Sequence, residues 1–187
     1  MPDTKKVLYI GGHGKIGLLT TPKLVEKGHE VHSLVRNPDY KAELEGLGAT
    51  PVIADITKQS AADWAQLVDG FDVVVWGAGN GGRGGADLTF AVDQDGAIAL
   101  VEGMESLGEK APRLIMISYM GATTNEVEND GGSWHAYVES KKNADNRINS
   151  SSLDHVILGP GLLTEDPAAG ITVTEPGSVR DGDVKTP

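Results

Sequence analysis

The chain contains no cysteine. That absence removes disulfides, thiolate metal ligands and a cysteine nucleophile together. Positive charge is also scarce, with 16 Lys and Arg against 27 Asp and Glu and a net charge of −11. Nucleic-acid binding needs a basic face to displace counterions from phosphates, so no nucleic-acid partner is expected. A small anion remains compatible, because helix N-termini and one arginine can hold a phosphate inside an acidic protein. No apolar run approaches the roughly 20 residues of a membrane-spanning helix, and no membrane association is expected. Lys5-Lys6 leads straight into a strand-like run without a signal-peptide core, which reads as cytoplasmic. Aromatic residues make up only 5% of the chain, and Trp64, Trp76 and Trp134 read as packing residues. The five histidines form no spaced pair, so no metal site is expected.

What is present is an alternation. Val7–Ile10, Val31–Val35, Pro51–Ala54, Val73–Trp76, Leu114–Ile117 and Val156–Leu158 are short runs rich in Val, Ile and Leu. Near-continuous apolar runs mark strands buried on both faces, as in a parallel sheet covered by helices. Between them Lys15–Lys27, Tyr40–Leu47, Ala61–Val68, Leu88–Leu107 and Trp134–Ser151 read as helices. Gly28, Gly48, Gly70 and Gly108 stand where helix-ending glycines are expected. The fold class is therefore α/β, a Rossmann-type doubly wound parallel sheet flanked by helices. The whole of 1–187 reads as one domain, with 164–187 a small extension: part of a substrate lobe, or a tail. No closing helix or strand is legible there, so the chain reads as truncated.

Three groups of residues carry chemistry. Gly11-Gly12-His13-Gly14-Lys15-Ile16-Gly17 follows the first strand and opens the first helix. Gly11 permits the tight turn, Gly14 lets the backbone approach a pyrophosphate, and Gly17 lets helix and strand pack closely. Lys15 adds a charge near the phosphates, or is simply solvated. Arg36 ends the second strand, where an acid would accept bonds from a ribose 2′-hydroxyl. An arginine instead offers a planar fork of donors to a 2′-phosphate, which favours NADP(H) over NAD(H). Asp55, beside Ile56, either touches the adenine or belongs to a capped polar turn. Gly77-Ala78-Gly79 opens a loop beyond the fourth strand, and Gly121–Ser133 follows the fifth. Open α/β sheets bind ligands at such places. The third group is Ser118, at the end of the fifth strand, with Tyr137 and Lys141 four residues apart on a helix. An ammonium on the same helix face is expected to lower the tyrosine pKa toward neutrality, with Ser118 beside the substrate oxygen.

Gly-Gly-His-Gly-Lys-Ile-Gly, Val-Arg-Asn-Pro, Ala-Asp-Ile-Thr, Val-Asp-Gln-Asp-Gly and Ile-Ser-Tyr-Met-Gly-Ala, taken in order, resemble the atypical short-chain dehydrogenase/reductases. With Tyr137, Lys141 and Gly159-Pro160-Gly161, the similarity is to the NAD(P)H-binding, NmrA-like and sugar-epimerase-like branch, over about residues 6–165. The resemblance implies Ser118, Tyr137 and Lys141 as the catalytic set. It also implies Lys141 on the nicotinamide ribose and Pro160-Gly161 beside the nicotinamide. Asp93 stands where active members often carry asparagine, and Gly159 where related members often carry arginine. The implied activity is an NADP-dependent oxidoreductase acting on a small carbonyl or quinone-like molecule, as a monomer or homodimer. The alternatives are a non-catalytic NADP-binding redox sensor and a nucleotide-sugar epimerase or dehydratase.

Overall fold

The computed structural model describes residues 3–81, 83–166, 170–173 and 185–186. Six strands form one parallel sheet: β1 (Lys6–Ile10), β2 (Glu30–Val35), β3 (Thr50–Ile53), β4 (Val73–Trp76), β5 (Arg113–Ile117) and β6 (His155–Leu158). Their spatial order is β3-β2-β1-β4-β5-β6, so the chain winds outward in both directions from a switch between β1 and β4. The helices between them are α1 (Lys15–Glu26), α2 (Lys41–Gly46), α3 (Ala61–Val68), α4 (Ala86–Thr89), α5 (Gly96–Ser106) and α6 (Ser133–Asn149).

The sheet's interior strands explain the apolar runs. In β1 and β4 all but the first residue are buried, because each strand has neighbours on both sides and helices on both faces. Trp64 of α3 and Trp76 of β4 are fully buried and meet edge to face, with ring centroids 5.9 Å apart. Around them lie Leu8, Leu34, Leu100, Met104, Leu114 and Ile148, all essentially inaccessible. Complete burial of such side chains contributes about 1.5–3 kcal/mol each. Ser60 and Asp63 form a reciprocal capping box that starts α3.

One expectation is corrected. Leu88–Leu107 is not one regular helix: Phe90–Asp95 between α4 and α5 forms a π-helical segment. One extra residue per turn there changes which side chains face inward, and it turns Asp93 into the core, where it is 1% exposed. Most of the expected extension 164–187 lies outside the described residues; within it β8 (Lys185–Thr186) pairs in parallel with β7 (Leu162–Leu163) in a separate two-stranded sheet and does not join the edge of the main one. Among the described residues no helix is long and apolar enough to cross a membrane.

Candidate functional site

The glycine turn leaves β1 with the amides of Gly11 and Gly12 both donating to the carbonyl of Leu34. Gly11 has φ +85°, and a Cβ there would lie 2.7 Å from the backbone of Ala78. A Cβ on Gly17 would lie 2.6 Å from the carbonyl oxygen of Gly12, so helix and turn pack at glycine distance. Gly14 differs. It is exposed, and among the described residues its Cβ would meet only the Gly11 oxygen, at 3.2 Å. Gly14 caps α1 without a side-chain bond, and the first intrahelical bond runs from the Leu18 amide to the Gly14 carbonyl. The amides of Lys15, Ile16 and Gly17 precede that bond and are left for an anion at the positive end of the helix.

A cavity of about 590 Å³ opens beside this turn, lined by residues of the turn, the end of β2, the segment after β3 and the loop after β4. Gly11, His13, Gly14, Arg36, Asp55, Ile56, Gly77, Ala78 and Gly79 all lie on its wall. Arg36 is exposed at the rim. The His13 ring stacks on Tyr40, with centroids 3.5 Å apart and planes within 3°, and its Nε2 bonds Glu43 at 2.8 Å. The Asp55 carboxylate accepts from the amide (3.1 Å) and hydroxyl (2.8 Å) of Thr57, capping the short turn Ile56–Lys58. These bonds hold its pKa below the ordinary carboxylate value. Open glycine backbone, unused helix amides and a rim arginine fit a nucleotide bearing a pyrophosphate.

Deeper in the molecule, Ser118, Asp145, Lys141 and Asp93 meet where the sheet's carboxyl edge faces α6. Tyr137, Lys141 and Asp145 lie at successive four-residue steps on that helix and so share a face. Lys141 Nζ lies 3.2 Å from Asp93 Oδ1 in an ion pair whose side chains are 6% and 0% exposed. The other Asp93 oxygen accepts the amide of Asn80 at 2.8 Å. Ser118 donates its hydroxyl to Asp145 Oδ2 at 2.5 Å, while Asp145 Oδ1 is buried with no hydrogen-bond partner among the described residues. Burial pushes the Asp145 carboxyl above its ordinary value, against the opposing effects of Ser118 and Lys141. The cluster adjoins the cavity: a Cβ on Gly79 would lie 3.0 Å from Asp93 Oδ1 and 4.0 Å from Lys141 Nζ.

Several expected placements change. The Tyr137 phenol is pushed up to about 12, not lowered toward neutrality. Burial is the main cause, and the Asp93, Tyr119 and Asp145 charges reinforce it; Lys141 is committed to Asp93. The Ser118 hydroxyl is engaged by the Asp145 carboxylate. Trp134 is not a packing residue; it is 60% exposed and stacks on Tyr137, which also stacks on Tyr119. The Lys15 ammonium is exposed and pairs with Glu165 at 2.5 Å. Of the residues expected to touch the cofactor, Lys15, Ile16, Gly17, Ser118, Lys141, Pro160 and Gly161 do not line the cavity, although the Pro160 carbonyl accepts the Met120 amide and ties the loops after β5 and β6 together. Tyr40, Asn80, Arg83 and Asp145 were not foreseen. Asp145 alone left a signal, since it follows Lys141 by one helical repeat.

The sequence profile of the family described as NAD(P)H-binding matches residues 11–186. The uncharacterised sugar epimerase YhfK of Bacillus subtilis is 34% identical over 166 residues, which cover 88% of this chain and 75% of that protein. A Saccharomyces cerevisiae protein of the UPF0659 group is 31% identical, over 89% of this chain and 73% of its own length. Among solved structures, a Bacillus halodurans protein assigned as an NAD-dependent epimerase/dehydratase superposes with TM-score 0.77 at 32% identity, covering 89% and 74% of the two chains. The anaerobilin reductase ChuY of Escherichia coli O157:H7 shares the fold with TM-score 0.70 at 20% identity, covering 96% and 84%. The chain belongs to the NAD(P)H-binding family, in its epimerase/dehydratase-like, atypical short-chain dehydrogenase/reductase branch.

Proposed function

We propose that the protein is an NADP-dependent oxidoreductase that moves hydride to or from a small carbonyl or quinone-like substrate. The observation that carries this reading is the buried Ser118, Asp145, Lys141 and Asp93 cluster, which approaches, through Asp93 and Lys141 beside Gly79, the cavity that begins at the glycine turn. Proton-handling groups held beside a cavity that begins at the glycine turn suit chemistry on a substrate oxygen. A reduced nicotinamide supplies the hydride when bound.

The chain's own residues supply position and charge. The α1 amides hold the pyrophosphate, and Arg36 reads the 2′-phosphate, which sets the preference for NADP(H). The Asp93–Lys141 pair anchors the loop after β4, through the Asn80 amide, against α6. Lys141 would also reach the ribose beside that loop. Ser118 and Tyr137 flank the substrate oxygen. Tyr137 stays protonated across the physiological range and orients that oxygen as a neutral hydrogen-bond donor.

A second reading, an NADP-binding redox sensor without turnover, is favoured by the raised Tyr137 pKa and the sequestered Lys141. The name of the Bacillus relative points instead to sugar epimerisation. Oxidation of NADPH against a panel of carbonyls and quinones, beside an epimerisation assay on nucleotide sugars with NAD⁺, separates the three. The proposal expects acceptor-dependent NADPH oxidation. Saturable NADPH binding with neither activity selects the sensor, and epimerisation alone selects the third reading.

A further inference from the structure

Building on the oxidoreductase reading, we infer that Asp145 is the proton source of this site and acts through the Ser118 hydroxyl, so that a carboxyl–serine relay delivers the proton. Asp145 is 1% exposed and lies two helical turns past Tyr137 on the face of α6 that meets the end of β5. Its Oδ2 accepts the Ser118 hydroxyl at 2.5 Å, and among the described residues this is the one hydrogen bond of the Asp145 carboxylate; Ser118 itself is 7% exposed. A carboxylate with a buried, unpartnered second oxygen lacks the solvation its charge demands, and adding a proton relieves that deficit.

The charged groups around Asp145 are arranged for this exchange. Ser118 faces it from β5, and Lys141 and Tyr137 from its own helix; Asp93 faces Lys141 from the π-helical segment. Lys141 is bound to Asp93 but near enough to favour the ionised form of Asp145, so both protonation states are supported. The raised phenol leaves Tyr137 a weak acid.

The step balances. A hydride pair from the reduced nicotinamide dinucleotide forms a C–H bond at the substrate carbonyl carbon, and the C=O π pair moves to oxygen. The Ser118 O–H bond breaks as the substrate O–H bond forms. The Asp145 O–H bond breaks as the Ser118 O–H bond is remade. The products are an alcohol, oxidised dinucleotide and an Asp145 carboxylate, which regains a proton from water through Ser118 once the alcohol has left.

The first test needs neither cofactor nor turnover. The Asp145 carboxyl carbon, assigned against Asp145→Asn, is followed by NMR as a function of pH in the parent and in Ser118→Ala. A midpoint above the ordinary carboxylate value is expected in the parent. Ser118→Ala should raise it further, because the bond from Ser118 stabilises the ionised form. A midpoint at or below the ordinary value, or one that Ser118→Ala leaves unmoved, overturns the relay whether or not any acceptor is found.

The second test uses an acceptor that the parent reduces. Asp145→Asn should lower kcat by about 10²–10⁴-fold and remove the loss of activity as pH rises through the Asp145 midpoint. Its NADPH Kd should stay within about twofold. Ser118→Ala should match it, the double variant should be no worse, and Tyr137→Phe should lose less than either. If Asp145→Asn does not give a cooperative melt, Ser118→Ala carries the comparison alone. Parent-like kcat and pH profile in Asp145→Asn or Ser118→Ala, or a larger loss in Tyr137→Phe, would overturn the relay. Absence of turnover in the parent counts against the oxidoreductase reading instead.

Discussion

Replacing Lys141 by methionine should destabilise the fold far more than a surface change. The substitution keeps the stem's length and leaves the Asp93 carboxylate, with a side chain 0% exposed, without its cation. Removing one partner of a buried ion pair typically costs about 3–5 kcal/mol, because the remaining charge is uncompensated. The Asn80 amide still donates to Asp93 Oδ2, which places the expected loss near the lower end, about 3 kcal/mol. For a chain of this length each kcal/mol lowers Tm by roughly 2–4 °C, so a fall of about 6–12 °C is expected. Asp93→Asn should lose less, since Lys141 retains the Asp145 carboxylate on its own helix face as a neighbour. The double variant, with both charges gone, should recover at least half of the single Lys141→Met loss. Urea unfolding of the four proteins at neutral pH, with matched m-values, gives the coupling energy. A Lys141→Met loss below about 1 kcal/mol, or additive single effects, would refute the buried pair as described.

Arg36→Ala should weaken NADPH much more than NADH, by about 1.5–3 kcal/mol if the guanidinium bonds a 2′-phosphate; paired titrations check this, and equal losses would refute it. Tyr137 should titrate near 12 by phenolate absorbance, as the difference between parent and Tyr137→Phe. A phenol raised from 10.0 gives stability that is full below pH 10 and is lost as pH rises toward 12, so the parent should destabilise relative to Tyr137→Phe across that window. A difference spectrum with its midpoint at or below 10 would contradict this.

The sheet was legible because its strands are interior and parallel, so Val, Ile and Leu accumulate without alternation, and every expected strand lies within a residue or so of its observed position. Gly28, Gly48, Gly70 and Gly108 have positive φ where helices end, a constraint that single residues can reveal. The turn was legible for the same reason, since Gly11 and Gly17 are the only residue type those close approaches admit. The π-helical segment was not, because apolar spacing cannot announce one residue more per turn. The partners of Lys141 and Ser118 were hidden for a different reason. Asp93 and Asp145 reach them through tertiary packing of distant segments, and a motif names a lysine or serine without naming what holds its proton or charge. The expected tyrosine–lysine coupling failed on that point: it assumed a lysine free to act on Tyr137, and burial with two nearby carboxylates reversed the direction.

The central claim is that a nicotinamide dinucleotide lies with its pyrophosphate against Gly14 and the N-terminus of α1. Calorimetric titration of NADPH into the parent and into Gly14→Val tests it most directly, with thermal unfolding of both proteins alongside. Among the described residues a Cβ at Gly14 meets only the Gly11 oxygen, at 3.2 Å, so Gly14→Val should melt cooperatively with a Tm close to the parent's. Its branched side chain would occupy the space the phosphates need, and both the binding heat and the NADPH-induced rise in Tm should vanish. Undiminished NADPH binding by a folded Gly14→Val protein, or no saturable binding by the parent, would contradict the account.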